Sequence, residues 1–255
     1  MTRTSLCLLC FLPLFAQAAD STPPANDDSG TDFSLGVAGG VNVTPYKSKL
    51  HKYSVVPVIN YDDKTWFLHG NEGGLYLMND DVNELKLKAF YDDSEYVPND
   101  AHGAYRHLHS RHSTMMAGAS YQRITPIGAI HFQLAADTLN HSKGLTGNLA
   151  WLYEYDNGGW TVVPEVGMDW ANAQQNRYYY GVTDKEMRRT GIKSYRPGAS
   201  VTPYMSLTAD YAFSGTPWDT YLNGRTDWLA ATQRDSPMVG HDYGWSLTWG
   251  INYNF

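Results

Sequence analysis

Residues 243–255 read YGWSLTWGINYNF and alternate without a break. Tyr243, Trp245, Leu247, Trp249, Ile251, Tyr253 and Phe255 face one way, while Gly244, Ser246, Thr248, Gly250, Asn252 and Asn254 face the other. Side chains along a strand point to opposite faces with a period of two, so this segment has one wide aromatic face and one small polar face. A strand that ends the chain on such an aromatic face belongs in the wall of a barrel that meets lipid. Its Gly250-x-x-Tyr253-x-Phe255 ending has the form of an assembly signal for outer-membrane insertion.

Working outward, the same two-faced pattern recurs. Leu85, Leu87, Ala89 and Tyr91 oppose Lys86 and Lys88; Ile130, Phe132, Leu134 and Ala136 oppose His131, Gln133 and Asp137. Leu149, Trp151, Tyr153 and Tyr155 oppose Asn148 and Glu154; Trp160, Val162, Pro164, Val166, Met168 and Trp170 oppose Glu165 and Asp169. Met205, Leu207, Ala209, Tyr211 and Phe213 oppose Ser206, Thr208 and Asp210. The apolar rows tend to finish on Tyr or Trp, rings that collect where lipid meets water, and the chain holds 19 Tyr and 8 Trp. The polar rows carry ionisable groups that a soluble apolar core would not tolerate unpaired.

The front of the chain reads as a secretory leader: Arg3, an apolar run from Leu6 to Phe15, then Ala16-Gln17-Ala18 as a small-x-small cleavage site. Cleavage after Ala18 leaves 255 − 18 = 237 residues and removes Cys7 and Cys10, so the exported chain has neither disulfide nor thiol. Residues 19–32 have the composition of a flexible periplasmic tail, and 33–255 form one domain with no helix-period segment. Loss of Arg3 takes the net charge from −7 to −8, which argues against nucleic acid as a partner. A mean hydropathy of −0.44 excludes membrane helices, yet suits a barrel whose strands turn half their residues to lipid.

The fold expected is therefore all-β: an antiparallel transmembrane barrel of the outer membrane. Both ends of a bacterial barrel lie in the periplasm, so the strand number is even, with short periplasmic turns and longer outer loops. Short links fall at Ser214–Pro217, Asp156–Gly158, Ile124–Pro126, Asn79–Asn83 and Asp62–Lys64; long ones at 229–242, 171–199, 138–144 and 92–112. These alternate only if Thr65–Met78 is split by a turn near Asn71–Gly73, which gives about twelve strands.

Few constellations carry chemistry. Ala101–His112 gathers His102, His107, His109 and His112 with Arg106 and Arg111. Extended, His107 and His109 share a face, but the arginines oppose a cation and no thiol or compact carboxylate set completes a metal site. A solvated or pH-sensitive loop is the plainer reading. Residues 177–196 hold Arg177, Tyr178, Tyr179, Tyr180, Lys185, Arg188, Arg189, Lys193 and Arg196, a set for lipid phosphates or for a loop folded over by tyrosine packing. No G-x-S-x-G elbow occurs, and His112 and Ser113 are strand neighbours pointing apart, so a hydrolase is not indicated. Inward Lys86, Lys88, Glu154, Glu165, Asp169, Asp210, Arg225 and Asp227 could line a small-solute pore or fill it by pairing.

Several stretches together resemble the MipA/OmpV family of outer-membrane proteins, nearest its MltA-interacting branch. They are FSLGVAGGV (33–41), PVINYDDKTWFLHG (57–70), RHLHSRHSTMMAGASY (106–121), DTLNHSKGL (137–145), AWLYEYDNGGWTV (150–162), NRYYYGVTDKEMRRTGI (176–192), DSPMV (235–239) and the Gly250–Phe255 ending. The resemblance implies acidic residues after RHL, where this chain has His109 and Ser110, so the histidine cluster is a local variation. It further implies a non-enzymatic scaffold, with no catalytic residue and no cofactor. Its implied partners are a membrane-bound lytic transglycosylase, MltA, and a bifunctional penicillin-binding protein that synthesises murein. Such a scaffold needs periplasmic surface, and the short links offer little of it.

Overall fold

The computed structural model describes residues 31–48 and 51–255. The expected leader (1–18) and nearly all of the expected tail (19–32) lie outside the described residues. Strand β1 (Asp32–Val43) starts one residue earlier than the barrel boundary read from the sequence.

The wall continues through β2 (His51–Asp62), β3 (Trp66–His69), β4 (Glu72–Asn79), β5 (Asn83–Asp92), β6 (Thr114–Thr125), β7 (Gly128–Asp137) and β8 (Leu145–Leu152). It ends with β9 (Tyr155–Asn157), β10 (Trp160–Ala171), β11 (Ser200–Ala212), β12 (Trp218–Trp228) and β13 (Tyr243–Asn254). Every neighbouring pair is antiparallel, and β13 pairs with β1 from Asn254↔Ser34 to Trp245↔Val43, which closes the sheet into a barrel. β8 and β9 form one stave, because both pair with β10 in a single register through Glu165↔Leu152 and Val162↔Tyr155. The interruption at Tyr153–Glu154 lies across from Pro164, which has no N–H to give the ladder. Among the described residues, thirteen strands thus make twelve staves.

The split of Thr65–Met78 is present. β3 and β4 are joined by Gly70 and Asn71, and Gly70 has φ 57°, the positive value that a tight two-residue hairpin link takes at its first position. With the chain ends on the periplasmic side, the links 63–65, 80–82, 126–127, 158–159 and 213–217 face the periplasm, while 93–113, 138–144, 172–199 and 229–242 face outward. Asp63 and Asp80 each accept two backbone N–H bonds inside their turns, and those bonds hold both carboxyls below the usual carboxylate range.

Outward rows are exposed and apolar, with Leu207 at 52%, Leu222 at 45% and Trp249 at 55%. Near the periplasmic rim the rings meet in pairs: Trp218 with Tyr253 at 5.0 Å, Tyr253 with Phe255 at 4.8 Å and Phe33 with Phe255 at 5.3 Å. The Phe255 N–H also donates to the Phe33 carbonyl, so the last residue is stitched to the first strand.

The expectation of no helix is corrected by the outer loops, where α1 (Ala173–Tyr180), α2 (Asp184–Thr190) and α3 (Ala231–Arg234) are found. At 8, 7 and 4 residues they are too short to show a 3.6-residue period in sequence. Local caps start them: the Asn172 side chain accepts from Gln175 N, and Thr183 with Glu186 makes a reciprocal capping box.

Candidate functional site

The inward face is packed. Lys86, His131, Gln133, Asn223, Arg225 and Asn252 expose between 0 and 4% of their surface. Arg225 bridges Asp169 and Asp227, with the Tyr204 ring 3.5 Å from its guanidinium carbon, and the Tyr204 hydroxyl donates to Glu165. Across the lumen, Lys86 pairs with Glu84 at 2.9 Å over the rings of Phe67 and Tyr76, and Lys88 pairs with Glu72 at 2.9 Å. Inward glycines give the rings room. A Cβ at Gly167 would lie 2.6 Å from Tyr204, and one at Gly250 would lie 2.4 Å from Tyr221. Gly250, read from the sequence as part of an assembly signal, therefore also has a packing role. Buried charges on inward rows are tolerated here because most have a partner of opposite sign.

The outer mouth is covered by a lid built from four loops. Tyr46, Tyr96, Leu108, Tyr179, Tyr180 and Met238 share one buried apolar cluster. Each large side chain buried in this way contributes about 1.5–3 kcal/mol. Isolated bridges pin the loops, with Tyr46 opposite Val239 and Tyr96 opposite Arg111. Beneath lies a cavity of about 710 Å³, mouth included, lined by Asp92, Asp169, Gln175 and Thr202 with the rings of Phe90 and Trp170.

Glu186 is the keystone of the lid. It is fully buried, and its carboxylate accepts from His109 N at 3.0 Å, Arg111 at 2.8 Å, Thr183 N at 2.9 Å and the Thr183 hydroxyl at 2.8 Å. Burial opposes its charge, but the backbone donors and the Arg111 guanidinium outweigh burial and hold the carboxyl at about 2. Arg111 also donates to the carbonyls of His109 and Gly181, which ties the 93–113 loop to α2. Burial pushes the Tyr96 hydroxyl up to about 12 and raises Tyr179 and Tyr180 further, so all three stay neutral.

The predicted site residues scatter over this lid. His102, His107, His109 and His112 are exposed, and a short 3-10 turn through Gly103–His107 replaces the extended face that His107 and His109 would have shared. The His112 ring lies 5.7 Å from that of His141, and no metal-holding group of three or more His, Cys, Asp or Glu occurs among the described residues. Arg111 is a correction. Read as a loop charge that repels cations, it is a buried tie between two loops. Residues 177–196 divide: Tyr179 and Tyr180 are buried in the lid, while Arg177, Arg188 and Arg189 remain exposed on it. Of the inward charges, Lys86, Lys88, Glu165, Asp210, Arg225 and Asp227 are buried, and Glu154 and Asp169 partly so.

Sequence reading missed Glu186, although the Thr183-x-x-Glu186 box was visible as a helix-start signal. It also missed the periplasmic mouth, where Gln122, Leu152 and Glu154 line a second cavity of about 560 Å³, mouth included.

Residues 35–255 match the model of the family described as MltA-interacting protein MipA. The chain is 42% identical over 224 residues to the MltA-interacting protein of Escherichia coli (strain K12), covering 88% of this chain and 90% of that protein. It is 28% identical over 228 residues to the putative outer membrane protein YiaT of the same strain, covering 89% and 92%. An outer membrane channel from Pseudomonas putida F1 is a distant structural likeness, with 9% identity and a TM-score of 0.44 over 94% of this chain and 100% of that one.

Proposed function

The chain belongs to the MltA-interacting protein family, and on that footing we propose that it is an outer-membrane adaptor that holds a murein lytic transglycosylase beside a murein synthase. Its place in the outer membrane follows from the closed barrel, the lipid-facing aromatic rows and relatives named as outer-membrane proteins. The observation that carries the adaptor role is the 42% identity to a protein named for interacting with MltA, extending over nearly all of both chains. The geometry supports it in a second way. A lumen packed with paired side chains and covered by a bonded lid suits a wall that presents surfaces better than a conduit. The role calls for no chemistry from the barrel itself, and the two enzymes would supply all of it.

The other reading, a small-solute channel, is motivated by the charged inward rows, but most of those charges are buried and paired. One preparation tests both. Immobilised mature protein should retain a purified lytic transglycosylase and a bifunctional penicillin-binding protein at low salt, and the same protein should be silent in planar-bilayer recording. Retention of neither enzyme sinks the adaptor reading, and discrete conductance steps would replace it with the channel.

A further inference from the structure

Near the periplasmic mouth, carboxylates lack counter-charge. Across β8/β9, β10, β11 and β12 the register brings inward Glu154, Asp210 and Asp219 and the rim residue Asp156 to the lower end of one wall. None of the four makes an ion pair among the described residues. Asp219 accepts from Asn252 and Asn254, and Asp156 accepts from the Thr161 hydroxyl. Asp210 has nothing: it is 1% exposed, and neither carboxylate oxygen has a hydrogen-bond partner. Two staves from Glu154, Gln122 is 2% exposed, lines the cavity and leaves its Oε1 unpartnered. Native proteins rarely bury acceptors in this state, because an unpaired buried charge is costly and an unsatisfied amide nearly so.

We propose that this mouth is a socket for a basic side chain, Lys or Arg, presented by a partner protein in the periplasm. The proposal rests on the adaptor reading and names how the short turns grip. The cavity presents the unpartnered Gln122 oxygen beside Glu154, which is bonded to Asp156 with no ion pair to either acid, so the missing group is a donor with positive charge. Its walls at Leu152 and Ala129 are apolar, which fits the hydrocarbon stem of Lys or Arg. Beside it Ile127, 77% exposed on the β6–β7 turn, offers the partner's backbone an apolar contact. Interfaces of small area draw their affinity from a few anchors seated in pockets, Arg prominent among them, so one such socket compensates for limited turn surface.

The test uses the mature barrel in phosphatidylcholine nanodiscs and a fluorescein-labelled Gly-Arg-Gly-Arg-Gly peptide, with a Glu-for-Arg peptide as control. The Arg peptide should raise anisotropy saturably, and the signal should fade with salt. Glu154→Gln and Asp156→Asn should each weaken binding about five- to tenfold. Asp184→Asn, on the exposed outer surface of α2, should leave it unchanged. Because both cysteines of the chain lie at positions 7 and 10, Ile127→Cys in the mature protein is a single thiol. It should crosslink to a bromoacetyl Arg peptide, whereas Asp184→Cys should not. Equal binding of the Arg and Glu peptides, or wild-type affinity in both Glu154→Gln and Asp156→Asn, overturns the socket. Transglycosylase capture that is the same with wild type and Glu154→Gln overturns it too, while the adaptor reading stands. Failure of capture with intact Arg-peptide binding has the opposite meaning.

Discussion

Glu186 at the outer mouth and Asp210 near the periplasmic mouth are acids of equal burial, at 0% and 1% exposure. The first accepts four hydrogen bonds, one of them from Arg111, and ties two loops separated by 75 residues in sequence. The second accepts none. The same contrast holds around them, since the outer end is a lid with its own apolar cluster and the other end is a shallow cup between short turns. A buried acid with every lone pair used is a structural tie. One left bare ties nothing, and its burial is a cost to the wall.

Breaking the tie should give the largest effect. Glu186→Gln leaves the Arg111 guanidinium buried without its counter-charge, a loss of about 3–5 kcal/mol that falls on the lid. Limited proteolysis should then cut within 93–113 and 172–199, while the barrel keeps its folded mobility on an unheated gel. Acid should do the same to the wild type. The folded carboxyl titrates at about 2, below its ordinary 4.5, so its contribution is full above pH 4.5 and is lost as pH falls from there through about 2. Hydrogen exchange in the two loops should rise over that window, and Glu186→Gln should abolish the dependence. If the loops stay protected in the variant, the apolar cluster holds the lid alone, and the contrast between the two acids reduces to a difference in neighbours.

How much of this was legible in the sequence follows from the range of each interaction. The strand rows were readable because alternation is local, and parity then forced a turn near Asn71 that Gly70 and Asn71 indeed make. The interruption between β8 and β9 was not readable, because Pro164 acts on a neighbouring stave and fits its own apolar row without a flaw. The lid was hidden for two reasons: its helices are shorter than the pattern that reveals helices, and the Arg111–Glu186 pair joins residues far apart in the chain. The histidines drew attention by density, yet they lie on the lid's exposed surface while the neighbouring arginine and tyrosines do the joining. For Asp210 the sequence carried half the fact. Alternation placed it inward with Ser206 and Thr208, but whether a cation meets it depends on which staves lie across the lumen, and only closure of the barrel decides that.

The smaller effect concerns Asp210 itself and has the opposite sign. Replacing a buried acid that bonds to nothing removes a desolvation cost and forfeits no partner, so Asp210→Asn should stabilise the barrel by about 1–2 kcal/mol. Urea titration followed by tryptophan fluorescence should place its unfolding midpoint above that of the wild type, with an unchanged slope. A gain of stability would show that burying this acid is a cost that the wall carries without return from the fold. A lower midpoint would show that Asp210 supports the wall in the unbound protein. It would then belong with Glu186, and the two mouths would differ in openness alone.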